Sequence, residues 1–371
     1  MDASPFAQKT IAIIGVGLIG GSLALAFKRV GIGCKIVGVG REETLREARE
    51  LGVIDDGFPY EALARGVEDA DLVFLCTPIS RILTLLPETL SAVPDGAVVS
   101  DVGSTKREIV SLAESQWRKG VHFVGGHPMA GSEQRGVAAA DPFLFENAIY
   151  VLTPAQETPE SIANALVDLV RRIGARPVRL QPETHDRIAA AVSHLPQMMA
   201  TALVGMIGRL NEADGLPLQM AAGGFRDLTR IASSPYDMWR DICRTNTAPI
   251  REMIDLYLEA LRAIRGKIDR DELAADFDNA NRVRSAIPKD SKGFLHPLHE
   301  ILLFVEDRPG IIAGVAGLLA EETINIQDIE VLKVREGEGG TIRLGFGARA
   351  AAIRALAILE AGGYRARIRY R

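Results

Sequence analysis

The chain has 371 residues, of which 47% are hydrophobic and 25% charged, and its formal net charge at pH 7 is −5. This length predicts two or three domains, and the negative charge argues against nucleic acid or an anionic membrane as the main partner. The three cysteines are widely spaced, which predicts a reducing cytoplasm and no disulfide framework.

Short runs rich in valine and isoleucine alternate with helical patterns from Thr10 to about Pro182. The runs are TIAII, KIVGV, DLVFLC, AVVSDV, HFVGG, AIYVLT and RPVRL. Their nearly continuous hydrophobicity is typical of parallel strands that are covered on both faces. The alternation predicts an α/β domain over residues 1–182, with the doubly wound sheet of a Rossmann-type fold.

A glycine-rich turn, GVGLIG, joins the first predicted strand to the first predicted helix. In this context G-x-G-x-x-G indicates dinucleotide binding, although a purely structural turn has the same composition. Gly15 permits the turn, Gly17 admits the pyrophosphate, Gly20 allows close helix packing, and Leu18 and Ile19 lie between them. We therefore interpret the apolar N-terminal stretch as part of a nucleotide-binding unit and not as a signal peptide. No other segment is expected to span a bilayer.

The end of the second strand bears on the choice of cofactor. Gly40 stands where NAD sites usually have an acidic residue, and Arg41 follows it. Arg41 could pair with a 2′-phosphate, or it could be a solvated residue at the start of a helix, so either NAD or NADP is expected. Thr77 and Pro78, in CTPIS, are further candidates for cofactor binding because they follow another strand.

Ligands of an open parallel sheet collect at the carboxyl ends of its strands. DVGST and GGHPMAGSE are two such ends, so Ser104 and His127 are predicted to lie at the cofactor edge. From the residues alone, Ser104 could equally face a phosphate or a ribose. A metal site is not expected, since His127, His185 and His194 lack the spacing of a ligand pair and no cysteine accompanies them.

The strand signal disappears after Glu183 and long helical patterns replace it. The first pattern is apolar nearly all round from Met198 onward, which is typical of a helix buried against other helices or in a subunit interface. We therefore expect an all-helical domain over residues 183–293 that contributes to substrate binding and forms a homodimer. The segment PKDSKGFLHP, from Pro288 to Pro297, is charged and interrupted by proline and glycine, which indicates a linker.

The C-terminal residues 294–371 contain strand and helix patterns in the order βαββαβ. The segments are HEILLFV, RPGIIAGVAGLLAEE, IQDIEVLKV, GTIRLGF, AAAIRALAILEAGG and YRARIRY. This order predicts a ferredoxin-like sandwich.

Five motifs together resemble the prephenate dehydrogenase family, whose members include enzymes that accept arogenate. They are GVGLIGGSLA, DVGSTK, GGHPMAGSE, SHLPQ and GFRDLTRIASSPYDMWRDI, and the C-terminal VEDRPGIIAGVAGLL resembles an ACT domain. The resemblance implies oxidative decarboxylation of prephenate to 4-hydroxyphenylpyruvate in tyrosine biosynthesis, with hydride transfer to NAD or NADP and no metal. The alternative that it implies is an arogenate (cyclohexadienyl) dehydrogenase that makes tyrosine directly.

The resemblance also implies roles for individual residues. His127 matches the catalytic histidine, which accepts a hydrogen bond or proton from the substrate alcohol. Ser104 matches the serine that orients this histidine, and Arg230 matches an arginine that binds a substrate carboxylate. From spacing alone Arg230 could instead form a weak surface pair with Asp227. Further pocket residues implied by the match are Ser132, Glu133 and Trp239.

One position departs from the family pattern. Relatives often have a second histidine in HLPH, whereas this chain has Gln197. Glutamine can hydrogen-bond a carboxyl group but cannot become cationic, so the choice between prephenate and arogenate stays open. His194 is a further candidate for substrate contact, or else a helix histidine satisfied within the protein.

The C-terminal module suggests regulation. Asp307, Pro309 and Gly310 lie at a helix start, where backbone N–H groups suit an amino-acid carboxylate. We therefore expect inhibition by tyrosine, while a module used only for assembly remains the alternative. Two other functions are disfavoured: a hydroxy-acid dehydrogenase, because SHLPQ and GFRDLTRIA contain no lysine, and a non-catalytic sensor, because the fingerprint and the candidate catalytic residues are intact.

Overall fold

The computed structural model describes residues 9–32, 35–131, 134–213, 215–286, 298–306, 308–335 and 339–369. The chain forms two compact units, Met1–Ala274 and Ala275–Arg371. The first unit contains a large sheet and the helices around it, and the second contains a small antiparallel sheet.

The large sheet has eight strands in the order β3-β2-β1-β4-β5-β6-β7-β8. Its strands are β1 (Thr10–Ile14), β2 (Lys35–Gly40), β3 (Asp56–Pro59), β4 (Leu72–Leu75), β5 (Val98–Asp101), β6 (His122–Pro128), β7 (Ile149–Pro154) and β8 (Arg176–Arg179). The neighbouring strands β1 and β4 mark the point where the strand order reverses, as in a Rossmann fold. The predicted fold class is confirmed.

Two details of the sheet differ from the sequence prediction. β3 was not predicted, because DGFP is short and contains glycine and proline. It forms by pairing in parallel with β2 at the sheet edge. The other difference is that β7 runs antiparallel to β6, so the sheet is not parallel throughout.

Helices cover both faces of the sheet. They are α1 (Leu18–Arg29), α2 (Glu42–Glu50), α3 (Leu63–Val67), α4 (Ile79–Ala92), α5 (Arg107–Ser115) and α6 (Glu160–Arg172). Within β1, Ile11 and Ile13 pack with α1, α2 and α6, whereas Ala12 and Ile14 pack with α3, α4 and α5. Alternation along a strand thus supplies two cores, because successive side chains point to opposite faces.

The helical segment follows β8. It comprises α7 (Pro182–Ala189), α8 (Leu195–Asn211), α9 (Leu216–Gln219), α10 (Gly223–Thr229), α11 (Tyr236–Thr245) and α12 (Thr247–Ile268), and α13 (Ala274–Ala286) begins at the unit boundary. Ala190, Ile242, Ile250 and Met253 pack into the same core as α4 and α5. One side of this segment is therefore fixed against the sheet.

A π-helical turn, Ala190–His194, joins α7 and α8 into one continuous helix of 30 residues. Among the described residues, this helix is long and apolar enough to cross a membrane by length and composition, with 22% of its most apolar window buried. No segment after the N-terminal stretch was expected to combine this length and apolar character, and a helix packed in a protein core can have the same length and composition. Pro196 lies at the start of α8, which begins directly after the π-turn.

The second unit contains a four-stranded antiparallel sheet in the order β10-β11-β9-β12. Its elements are β9 (His299–Val305), α14 (Ile311–Glu321), β10 (Asp328–Arg335), β11 (Gly339–Phe346), α15 (Arg349–Ala361) and β12 (Arg365–Ile368). Ile301, Leu303, Ile342 and Leu344 face α14 and α15. The predicted ferredoxin-like order is confirmed.

Candidate active site

The nucleotide edge lies where β1 and β4 end. Gly15 has φ +96°, and a Cβ there would lie 2.7 Å from Cγ2 of Thr77 and 2.8 Å from the carbonyl oxygen of Cys76. Gly17 precedes α1 and has open space around it, and the first turn of α1 contains no acidic residue. The Thr77 hydroxyl is buried without a hydrogen-bond partner in the described part of the chain. These features fit a dinucleotide phosphate at the helix N-terminus.

Arg41 is exposed at the N-terminal end of α2, directly after Gly40. Pro78 holds the corresponding position before α4. A second cationic side chain, Arg81, stacks on Tyr60 with its guanidinium carbon 3.6 Å from the ring centroid. The structure therefore places Arg41 where the sequence predicted it, at the carboxyl end of β2.

His127 lies near the end of β6, where the strand passes close to β5. A Cβ on Gly126 would lie 2.5 Å from the carbonyl oxygen of Asp101 and 3.1 Å from the Tyr150 ring. The glycine before His127 is thus required by the close approach of the two strands. Pairing of His127 with Val151 of β7 fixes the backbone from the other side.

A buried ion pair holds this strand end in place. Lys106 and Asp101 are fully buried and form a salt bridge, and the Lys106 ammonium also donates to the carbonyl oxygen of Gly126 at 2.6 Å. Asp101 accepts hydrogen bonds from the backbone N–H groups of Gly103 and Gly126. Burial lowers the pKa of Lys106, while Asp101 opposes that shift. The residues around His127 are therefore tied together by charge and by backbone hydrogen bonds.

The ring of His127 is held by a second histidine. Its Nδ1 lies 2.8 Å from Nε2 of His185, and Nδ1 of His185 lies 2.8 Å from a carboxylate oxygen of Asp186. Burial, followed by the influence of His185 and Lys106, lowers the pKa of His127 well below its ordinary value. His127 is consequently neutral near pH 7, the form that can accept a proton.

A cavity of about 960 Å³ opens beside His127. It brings together most of the predicted groups, since Ser104, His127, Arg230 and the fingerprint residues Leu18 and Ile19 all line it. Arg230 lies in a short 3₁₀ turn, Arg230–Ser233, after α10. The lining also includes Gln134, Arg135, Pro235 and Met238, which the sequence interpretation did not identify.

Three other predicted residues, His194, Trp239 and Gln197, are not part of the described cavity lining. His194 is buried, with its Nδ1 3.1 Å from the Asn246 amide nitrogen and its ring centroid 5.8 Å from that of Trp239. Gln197 is buried and donates to the Thr201 hydroxyl at 3.4 Å.

Some predicted residues lie outside the part of the chain that the structure describes. Ser132, Glu133 and Asp307 lie outside the described residues. In the second unit, Gly310 has φ +85° and directly precedes α14, with Pro309 before it. Over the ranges that are described, no group of three histidine, cysteine or acidic residues could hold a metal ion.

The residues that the sequence interpretation missed here are Asp101, Lys106 and Asp186, together with the contact from His185. Asp101 and Lys106 stand within DVGSTK, so their position at a strand end could have drawn attention to them. His185 and Asp186 are on a different element, α7, and the sequence offers no signal that they meet β6.

The fold and the cavity define a class: a nucleotide-dependent dehydrogenase with a Rossmann-type domain, a helical segment and an ACT-like module. Comparison with known families identifies it further. The prephenate dehydrogenase nucleotide-binding domain matches residues 23–179, the prephenate dehydrogenase dimerization domain matches residues 181–279, and the ACT domain matches residues 299–346. The chain belongs to the prephenate dehydrogenase family and is an oxidoreductase.

Individual relatives agree with this assignment. Prephenate dehydrogenase of Bacillus subtilis is 38% identical over 344 residues, which covers 91% of this chain and 92% of the relative. The prephenate dehydrogenase structure of A. aeolicus, in complex with hydroxyphenyl propionate and NAD+, is 30% identical with a TM-score of 0.69, covering 76% of this chain and 98% of that one. The arogenate dehydrogenase structure of Synechocystis is 31% identical with a TM-score of 0.67, and the match covers 74% of this chain and 99% of that one.

Proposed function

We propose that the chain oxidatively decarboxylates prephenate to 4-hydroxyphenylpyruvate in tyrosine biosynthesis. The cavity that joins a neutral histidine, a serine and an arginine to the end of the nucleotide fingerprint carries this proposal. A nicotinamide cofactor bound at the fingerprint would supply the hydride acceptor. His127 takes the hydroxyl proton, Ser104 on the same cavity offers a hydrogen-bonding hydroxyl, and Arg230 binds a carboxylate with its planar fork of donors.

Loss of the His127 base should nearly abolish turnover. His127→Asn is expected to lower kcat by about 10²–10⁴-fold while leaving the Kd for the cofactor near that of the unmodified protein. The matched control is His122→Asn at the other end of β6, which should keep kcat. Reduced nicotinamide is followed by absorbance, and full turnover in the His127 variant would contradict the assigned role.

Arogenate is the second candidate substrate. Gln197 in place of a histidine leaves the choice between the two substrates open, because a neutral amide can hydrogen-bond a carboxyl group but cannot become cationic. Assays with both substrates and both cofactors separate the possibilities. A higher kcat/KM for arogenate would make tyrosine, and not 4-hydroxyphenylpyruvate, the main product.

The choice between NAD and NADP depends on the end of β2. The absence of an acidic side chain at Gly40, together with the exposed Arg41, supports use of NADP as well as NAD. A Cβ at position 40 would lie 3.6 Å from Leu45, an ordinary contact, so Gly40→Asp should fold normally. It should lower kcat/KM for NADP more than for NAD; no activity with NADP in the unmodified chain would contradict the proposal for Arg41.

We also propose a homodimer formed through the helical segment. Large apolar side chains on α8 and α12 are 38–57% exposed, among them Val204, Leu210, Leu256 and Leu261. Such a patch marks an interaction surface, and the match to a dimerization domain supports a second copy as its partner. Leu261→Glu should halve the mass measured by light scattering, whereas binding of the unmodified chain to lipid vesicles would point to a membrane instead.

The second unit is proposed to bind tyrosine and inhibit the enzyme. The match to an ACT domain and the left-handed Gly310 before α14 support this role. Removal of all residues after Gly293 should abolish inhibition by tyrosine while retaining turnover. Unchanged inhibition would place tyrosine at the catalytic cavity. The biosynthetic role and the free thiols of Cys76 and Cys243 support a cytoplasmic location.

A further inference from the structure

Three side chains from two different elements form one hydrogen-bonded row. His127 of β6 contacts His185 of α7, which contacts Asp186, and both separations are 2.8 Å. All three side chains are buried, with exposures of 9%, 2% and 2%. The row runs away from the cavity, since only His127 lines it.

The donors and acceptors in this row can be assigned from the carboxylate outward. An ionised carboxylate can only accept hydrogen bonds, so Nδ1 of His185 carries a proton and donates it to Asp186. Nε2 of a neutral His185 is then an acceptor. It accepts from Nδ1–H of His127, which leaves Nε2 of His127 with a free electron pair.

We propose that His185 and Asp186 are positioning residues that keep the proton of His127 on Nδ1 and hold its Nε2 ready as the base of the reaction. This inference rests on the role proposed for His127. It adds a tautomer, which neither the sequence nor the position of His127 in the cavity specifies. Partners of this kind commonly decide which imidazole nitrogen is available.

The same row can receive the charge that forms during the reaction. With a nicotinamide bound to accept the hydride of the alcohol carbon, the substrate O–H bond would break and its proton would join Nε2 of His127. The Nδ1–H proton of His127 passes to Nε2 of His185, which becomes an imidazolium paired with Asp186. Loss of the ring carboxylate as CO2 leaves its electron pair in the ring, the oxygen becomes basic, and both protons return along the same path.

The surrounding charges favour this transfer. The groups facing His127 are His185, Lys106 and His194, and each opposes a positive charge on it. Lys106 is itself paired with Asp101. A proton that moves to His185 joins a ring that contacts the carboxylate of Asp186 at 2.8 Å, one ring further from the cavity.

Asp186 is fixed independently of the histidines. Its carboxylate accepts the backbone N–H groups of Lys106 at 2.7 Å and Arg107 at 3.0 Å, and its carbonyl oxygen accepts from the Asn246 amide at 2.8 Å. These contacts come from the start of α5 and from the α11–α12 junction. The row therefore has a rigid end, as a device that sets a tautomer requires.

The test reads the tautomer directly in the full chain labelled with 15N-histidine. NMR should show Nδ1 of His127 protonated and Nε2 unprotonated near neutral pH, with or without cofactor. In Asp186→Ala the acceptor for Nδ1–H of His185 is removed, so the proton of His127 should no longer be held on Nδ1. Its kcat should fall by about 10²–10⁴-fold with KM nearly unchanged.

A second variant and a control guard against a simple folding defect. His185→Gln cannot relay a proton and should also lower kcat while the Kd for the cofactor is kept. Asp241→Asn removes another buried carboxylate, which accepts the Ser80 N–H at 2.8 Å; it should lower stability without changing the His127 tautomer. A proton on Nε2 of His127 in the unmodified chain, or an unchanged tautomer in Asp186→Ala, would overturn the inference even if His127→Asn is inactive. Full activity of His127→Asn alongside the expected tautomer would instead overturn the proposed function.

Discussion

The two ends of the active-site cavity are built differently. At the His127 end, the groups are buried and each has several partners from β5, β6, α5 and α7. At the Arg230 end, the lining residues Arg230, Ser233, Pro235 and Met238 are exposed, and they stand on a short turn and the start of α11. The proton-accepting end is therefore preorganised by the fold of one subunit. The carboxylate-binding end lies among exposed apolar helices, where a second copy of the chain is proposed to bind.

The largest expected effect comes from unpairing the buried charges at the His127 end. Lys106→Met leaves Asp101 buried without a cation and should lower the free energy of unfolding by about 3–5 kcal/mol. Urea unfolding measures this change. The double variant Lys106→Met/Asp101→Asn should recover part of the loss, and if Lys106→Met alone is harmless, the contrast between the two ends fails.

Acid should also act on the buried end. Burial lowers the pKa of His194 to about 4 and that of His127 well below 6.5. The unfolded chain binds these protons near pH 6.5, before the folded chain does, so stability falls as pH drops from about 6.5 toward 4 and is unaffected above that range. His194 alone should contribute at most about 3 kcal/mol. Unfolding measured across this range should show a shallower slope in His194→Gln; an equal slope would assign the effect elsewhere.

The smallest of these effects is expected at the exposed end. Arg230→Ala should lower kcat/KM by about 10–100-fold through the loss of a charge-assisted hydrogen bond, equivalent to about 1.5–3 kcal/mol. Its unfolding free energy should change by less than about 0.5 kcal/mol, as for other exposed sites. Arg226→Ala, an exposed arginine on α10 that is not in the described cavity lining, is the matched control. Equal effects on catalysis from both variants would show that Arg230 has no specific role.

Much of the site was predictable because its parts follow strand ends. The glycine fingerprint, Ser104 and His127 were placed at the cofactor edge from the pattern of apolar runs alone, and the structure puts Leu18, Ile19, Ser104 and His127 around one cavity. Arg230 came from the family resemblance and lies on the same cavity. The sequence did not separate the cavity-lining residues from His194, Trp239 and Gln197, because a helix pattern does not show which side of a helix faces a pocket.

The order of elements, a sheet covered on both faces, the ferredoxin-like module and the family were all predictable from the sequence. These follow from local periodicity and from short motifs, which depend on neighbouring residues. Only the tertiary structure decided the antiparallel pairing of β7, the burial of Lys106 against Asp101 and the contact of His185 with His127. Those features join residues 5 to 58 positions apart, and the contact of His185 with His127 depends on how the helical segment packs on the sheet. The base of the reaction is thus visible in the sequence, but the groups that set its proton are not.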